Sequence, residues 1–168
     1  MVLDFIRCMD KGIKYISKQG GFLTTKSGED INTSTISWVT MGYLWGKPVV
    51  TIMIRKSRYI YNILEKGDSF TISVPTNSEL KKALNFFGSK SGREVDKYKV
   101  SGLELKEARE VDVPIIDNCG VYFECKILYK HEIKPDHIKD DSKESWYYDE
   151  DNHVAFYAEV KDCYFNNK

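Results

Sequence analysis

Arg55-Lys56-Ser57-Arg58 places three cations and a hydroxyl between an apolar run, Pro48 to Ile54, and a segment with helical periodicity. Backbone N–H groups, positive charge and the positive end of a helix dipole converge at such a junction, and a phosphate needs all three. The same residues also read as a solvated basic turn in which Ser57 caps the helix. A second grouping, Asn32-Thr33-Ser34-Thr35-Ile36-Ser37-Trp38, supplies an amide and hydroxyls that can hydrogen-bond the edge of a heterocycle, or simply a turn into a strand. In a third, Gly88-Ser89-Lys90-Ser91-Gly92-Arg93, the glycines let backbone approach a ligand closely. The third lacks the longer gap of a Walker sequence, and no G-x-G-x-x-G follows any strand, so neither a P-loop nor a Rossmann site is indicated.

Hydrolytic constellations are poor. The histidines are His131, His137 and His153, and none sits beside a serine or cysteine in a triad-like pattern. No side chain is assigned as catalytic; His153, which opens the last strand beside an acidic segment, is the one candidate for the substrate side. Cys8, Cys119, Cys125 and Cys163 share no two-residue gap of a zinc knuckle or redox pair, so no metal site is expected. Asp4 and Asp10 fall where a signal peptide would need apolar residues, and no apolar run is long enough to span a bilayer. These features fit a reducing cytoplasm and free thiols.

The elements that must position these groups follow from periodicity. Asp4 can cap an amphipathic helix carrying Phe5, Ile6, Met9, Ile13 and Ile16, which Gly20-Gly21 ends. The period then changes to two: Phe22 to Thr25, a turn at Ser27 to Asp30, strands at Thr35 to Val39 and Pro48 to Ile54, the latter apolar on both faces. Ser57 starts a helix with Ile60, Ile63 and Leu64 inward; Gly67 ends it before the strand Phe70 to Val74. A helix from Ser78 to Phe87 ends at Gly88. Cys119 to Leu128 and Val154 to Val160 alternate as strands, with Cys119 and Cys125 facing the core as small hydrophobes. The expected fold is mainly β with short helices, an α+β arrangement: a six-stranded antiparallel, Greek-key-like barrel with helical inserts, in one domain spanning 1–168.

The charge balance is local rather than uniform. Lys plus Arg equals Asp plus Glu at 25 each in 168 residues, which argues against nucleic-acid or anionic-membrane partners. Residues 134–152 hold seven acids and three lysines, so the rest of the chain carries four excess positive charges. That acidic stretch, with Trp146, Tyr147 and Tyr148, reads as a solvated dimer-edge loop or as a substrate lid. A barrel that binds single-stranded nucleic acid is disfavoured by the zero net charge.

In order along the chain stand Gly21-Phe22-Leu23-Thr24-Thr25, Asn32 to Trp38, Trp45-Gly46-Lys47-Pro48, Arg55-Lys56-Ser57-Arg58-Tyr59, Phe70 to Pro75, and Gly88 to Arg93 with Asp96-Lys97. Pro114-Ile115-Ile116, Glu124-Cys125-Lys126, and His153 before Tyr157-Ala158-Glu159-Val160 follow. This series resembles the flavin reductase-like family, the FMN-binding split β-barrel group that includes flavoredoxins. The resemblance implies a homodimer with non-covalent FMN in a groove at the subunit interface. It places Asn32, Thr33, Ser34, Thr35, Ile36, Ser37 and Trp38 along the isoalloxazine ring. It places Arg55, Ser57 and Arg58 on the phosphate, with Ser89, Lys90 and Ser91 closing over ribityl or phosphate, and counts Lys56, Tyr59 and Gly88 among the cofactor-binding residues. Ile60 departs from the family's usual threonine, which removes one hydroxyl, and Glu94 replaces the usual aspartate. The implied activity is an oxidoreductase that passes reducing equivalents from NAD(P)H through FMN to a flavin, a ferric chelate or a protein acceptor. The alternative is a flavoredoxin-like electron-transfer protein reduced by a partner protein.

Overall fold

The computed structural model describes residues 2–166 except 142, 148 and 150. Helix α1 (Val2–Gln19) precedes β1 (Gly21–Ser27), β2 (Asp30–Ile36), β3 (Val39–Leu44), β4 (Lys47–Arg55), α2 (Tyr59–Leu64) and β5 (Ser69–Val74). Then come α3 (Lys81–Ser89), α4 (Lys97–Ser101), β6 (Leu105–Lys106), β7 (Ile115–Ile116), β8 (Val121–Glu132), α5 (Lys143–Trp146) and β9 (His153–Phe165). Seven strands form one antiparallel sheet in the order β2-β1-β5-β8-β9-β4-β3, and β6 pairs with β7 separately. The antiparallel barrel-like expectation holds, with β2 and β3 as the unjoined edges of the sheet.

Two apolar cores form on the sheet. Leu23, Val50, Ile52, Phe70, Ile72, Phe123 and Phe156 alternate inward and are closed by α1 through Phe5, Cys8 and Ile16. On the opposite face, Phe22 and Tyr122 meet Leu84 and Phe87 of α3 and Ile115 and Ile116 of β7. A Cβ at Gly12 would fall 2.9 Å from the Phe123 ring, so α1 lies flush on β8 only because that position has no side chain. Cys119 and Cys125 are buried among these cores as expected, and burial pushes both thiols well above their ordinary range.

Several local expectations shift. The sheet has seven strands, not six: the expected strand Thr35 to Val39 is broken at Ser37 and Trp38, where β2 ends and β3 begins. Helix α1 starts at Val2, so Asp4 sits in its first turn rather than at its cap. Ile6 is 48% exposed, and the inward stripe runs through Phe5, Cys8, Gly12 and Ile16 instead. Arg58, not Ser57, is the N-cap of α2, and no side chain caps that helix. Gly88 lies inside α3, which runs on to Ser89. Among the described residues no helix is long and apolar enough to cross a membrane.

Candidate functional site

The break between β2 and β3 is what builds the site. The pleat would send Ser37 and Trp38 to opposite faces; instead the chain turns, and the Trp38 carbonyl accepts from Met53 N at 3.3 Å. Arg55 and His153 are cross-strand partners at the adjoining ends of β4 and β9. Their register brings His153 against Trp38, with ring centroids 4.6 Å apart and planes 26° from parallel. A cavity of about 240 Å³ opens here, lined by Ser34, Thr35, Ile36, Ser37, Trp38, Met53, Ile54, Arg55, Arg58, Ile60, Gly88, Trp146 and His153.

A second cavity of about 240 Å³ shares Ser34, Arg58, Ile60 and Gly88 with the first and continues to Asn32, Ser57, Tyr59, Ser89, Lys90, Ser91, Arg93 and Lys97. The two therefore form one groove with an aromatic end and a cationic end. Gly92 is required at the cationic end, since a Cβ there would lie 2.3 Å from Asn32 Oδ1. Gly88 brings the end of α3 against β2, its Cβ position being 3.3 Å from Thr35, and Thr35 Oγ1 donates to the Leu84 carbonyl at 2.5 Å.

Fourteen of the sixteen sequence-predicted cofactor residues line this groove, as does His153; Thr33 and Lys56 do not. Thr33 is buried and shares its hydroxyl with Thr24 at 2.7 Å and Tyr98 at 2.8 Å, because its position in β2 points under the sheet. Lys56 turns away to pair with Glu132. Arg55 and Ser57 line the groove, but their donors are engaged by acceptors at 146–151. Tyr148 and Glu150 lie outside the described residues.

Lys97 is the residue that sequence reasoning left without a role. Asp96 caps α4 by accepting from Lys99 N at 3.1 Å, which sets Lys97 at the first helical position and aims its side chain back under α3. Its ammonium donates to the carbonyls of Thr33 at 3.0 Å and Phe87 at 2.9 Å and sits over the Phe87 ring. Only 4% of the residue is exposed, and it has no carboxylate partner among the described residues. Burial, reinforced by the nearby Arg58 cation, lowers its pKa from 10.5 to about 8. The Asx cap Asp96 was readable in the sequence, but the partners of Lys97 were not, since they come from β2 and α3.

His153 is the second unusual group. It is 6% exposed, and its Nδ1 has no hydrogen-bond partner among the described residues. Burial first, then the neighbouring Arg55 cation, holds its pKa down at about 4, so the imidazole is neutral at ordinary pH. An orphaned nitrogen at the aromatic end and an uncompensated ammonium at the cationic end are what a ligand with a polar flat head and an anionic tail would satisfy.

The fold is that of a split-barrel protein, and its groove has one aromatic and one cationic end. The flavin reductase like domain family model matches residues 15–168, and the chain belongs to that family. An uncharacterised protein of Archaeoglobus fulgidus is 28% identical over 120 residues, which cover 71% of this chain and 67% of that protein. Flavoredoxin from Methanosarcina acetivorans superposes with a TM-score of 0.70 at 20% identity, covering 89% of this chain and 69% of its own. The NADH:FAD oxidoreductase of Streptomyces globisporus superposes at 0.65 and 19% identity, covering 88% and 71%. These two likenesses speak for the fold alone.

Proposed function

We propose that the chain binds FMN non-covalently in this groove and works as an oxidoreductase, passing reducing equivalents from NAD(P)H to a flavin, a ferric chelate or a protein acceptor. The observation that carries the reading is the continuity of the two cavities from the Trp38–His153 stack to the Arg58–Lys90–Lys97 cations. When bound, FMN supplies the hydride-accepting centre. The chain's own residues bind and orient. Ser34 to Ile36 offer hydroxyls and amides at a ring edge, Trp38 gives a flat wall, and Gly88 and Gly92 let backbone come close. Arg58, Lys90 and Lys97 meet the phosphate, Lys97 having one N–H left after its two carbonyls. His153, neutral, faces the ring end as a hydrogen-bonding wall rather than a proton donor.

The reading includes a homodimer. Support comes from an exposed aromatic face on β3, β8 and β9: Tyr43 and Trp45 are 60% and 57% exposed, Tyr129 is 51% exposed, and Trp45, Tyr129, Tyr157 and His131 form linked ring contacts. Trp45 holds φ 54° and Gly46 φ 71° in the two-residue turn between β3 and β4. A bulky residue in that left-handed position is costly, which fits a side chain displayed for contact. Absorption spectra of the purified protein, before and after anaerobic NADH or NADPH, test the function. Bleaching of a bound flavin supports the reductase, and a bound flavin that neither donor bleaches supports the carrier alternative. A colourless protein that does not quench FMN fluorescence overturns both.

A further inference from the structure

Helix α1 packs on β8 and β9. The Lys11 ammonium sits 5.3 Å from the centroid of the Phe165 ring. The Cβ position of Gly12 falls 2.9 Å from the Phe123 ring, and Phe123 is the cross-strand partner of Cys163. Cys8, four residues before Gly12, shares its inward face. Its thiol therefore meets that of Cys163 inside the first core, where the two sulfurs are joined by a hydrogen bond. Accepting that bond holds the Cys8 thiol below its ordinary range; donating it, with burial added, pushes the Cys163 thiol well above. Both side chains are free thiols, Cys8 fully buried and Cys163 7% exposed, so packing leaves the pair a single narrow edge toward solvent. Cys119 and Cys125, by contrast, owe their raised thiols to burial first.

We propose that Cys8 and Cys163 are a redox pair that closes to a disulfide under peroxide and staples α1 to β9. Two sulfurs already in hydrogen-bond contact need to approach by only about 1–2 Å to reach bonding distance, which side-chain rotation can supply. Hydrogen peroxide transfers one oxygen to the Cys8 sulfur, giving a sulfenic acid and one water; the Cys163 sulfur then displaces that oxygen as a second water. Two thiols are oxidised by one electron each, the peroxide takes up both electrons, and the thiol protons leave in the waters. A dithiol reductant reverses the step by thiol–disulfide exchange. The link joins the first helix to the last strand and closes nearly the whole chain into one loop, so it restricts the unfolded state strongly. No ligand takes part, and the pair stands independently of what the groove binds.

The test uses the whole chain, reduced, freed of reductant, exposed to hydrogen peroxide, then unfolded and alkylated. Oxidation should lower the intact mass by about 2 Da, the loss of two hydrogens. It should leave two of the four thiols open to alkylation, Cys119 and Cys125, and a digest should contain the Cys8 peptide linked to the Cys163 peptide. Dithiothreitol should restore all four. The oxidised protein should melt roughly 5–15 °C above the reduced one and return to the lower value with dithiothreitol. Cys8→Ala and Cys163→Ala should each remove both the mass change and the melting shift, and a variant that still loses the two hydrogens overturns the proposal. Because either substitution alters the core, the wild-type redox cycle decides first. Four thiols still open after peroxide, a link between any other pair or between two chains, or an oxidised protein that melts no higher than the reduced one each overturns the proposal.

Discussion

Lys97 makes the affinity for an anionic ligand depend on pH in a way that can be worked through. Its pKa falls from 10.5 to about 8 through burial and the Arg58 cation, a penalty on the charged form of about 3 kcal/mol. Between those values the unfolded chain binds the proton and the folded chain does not, so this group's contribution to stability rises with pH across that window, and its full penalty is present below pH 8. A phosphate in the cationic cavity reverses the balance by restoring the charged form. Binding then takes up one proton above pH 8, and the Kd for FMN should rise up to ten-fold per pH unit, about 30-fold weaker at pH 9.5 than at pH 7. Riboflavin, which lacks the phosphate, should show no such fall. In Lys97→Met, relief of the burial penalty is offset by two carbonyls left unpaired at about 1–2 kcal/mol each, so the variant should fold with near-wild-type stability. It should bind FMN about 10- to 100-fold more weakly at pH 7, with the pH dependence gone. Fluorescence-quenching titrations of FMN and riboflavin from pH 7 to 9.5 measure all of this. An FMN curve shared by riboflavin, or unchanged in Lys97→Met, would refute the reasoning.

Ile60 lines both cavities and is 2% exposed; Ile60→Thr should tighten FMN by about 1 kcal/mol through one regained hydroxyl and cost about 1–2 kcal/mol of stability, read by titration and thermal melts. With His153 held at about pKa 4, flavin reduction measured by stopped-flow should show no inflection near pH 6.5, and an inflection that disappears in His153→Gln would contradict that. Glu124, fully buried, accepts from Arg109 N, Glu110 N and Tyr164 Oη. Glu124→Gln turns a donor toward donors and should cost about 2–3 kcal/mol in urea unfolding, with less than about 1 kcal/mol lost if the network is not a real support.

Period-two alternation was enough to find β1, β4, β5, β8 and β9, because each buries a continuous inner face. It failed at Thr35 to Val39, where one reading frame covers the end of β2, a two-residue break and the start of β3. β3 itself has only partly buried and exposed positions, so it left no apolar alternation to read. Helix α4 and the β6–β7 ribbon are too short for periodicity and exist because α3 and the second core hold them. At the site, the hydroxyl and glycine groupings were readable as compositions near elements. The partners of Arg55 and Ser57 were not, since Asp149 and Asp151 lie some 90 residues away in sequence. The burial of Lys97 was equally hidden, because it depends on where α3 crosses β2.

The pairing of Glu132 with Val154, continued by the Ile133 N to His153 carbonyl bond at 2.8 Å, has a consequence for how such a protein can be remade. The two ends of segment 134–152 are held about one strand spacing apart, roughly 5 Å, whatever chain runs between them. Cutting that stretch about four-fold would change closure entropy by only about 1 kcal/mol, in the stabilising direction. The stretch is thus an exchangeable cassette plugged into a finished hairpin: a different loop can be grafted there to redefine what reaches Trp38 and His153, while the strands that hold those two rings keep their register.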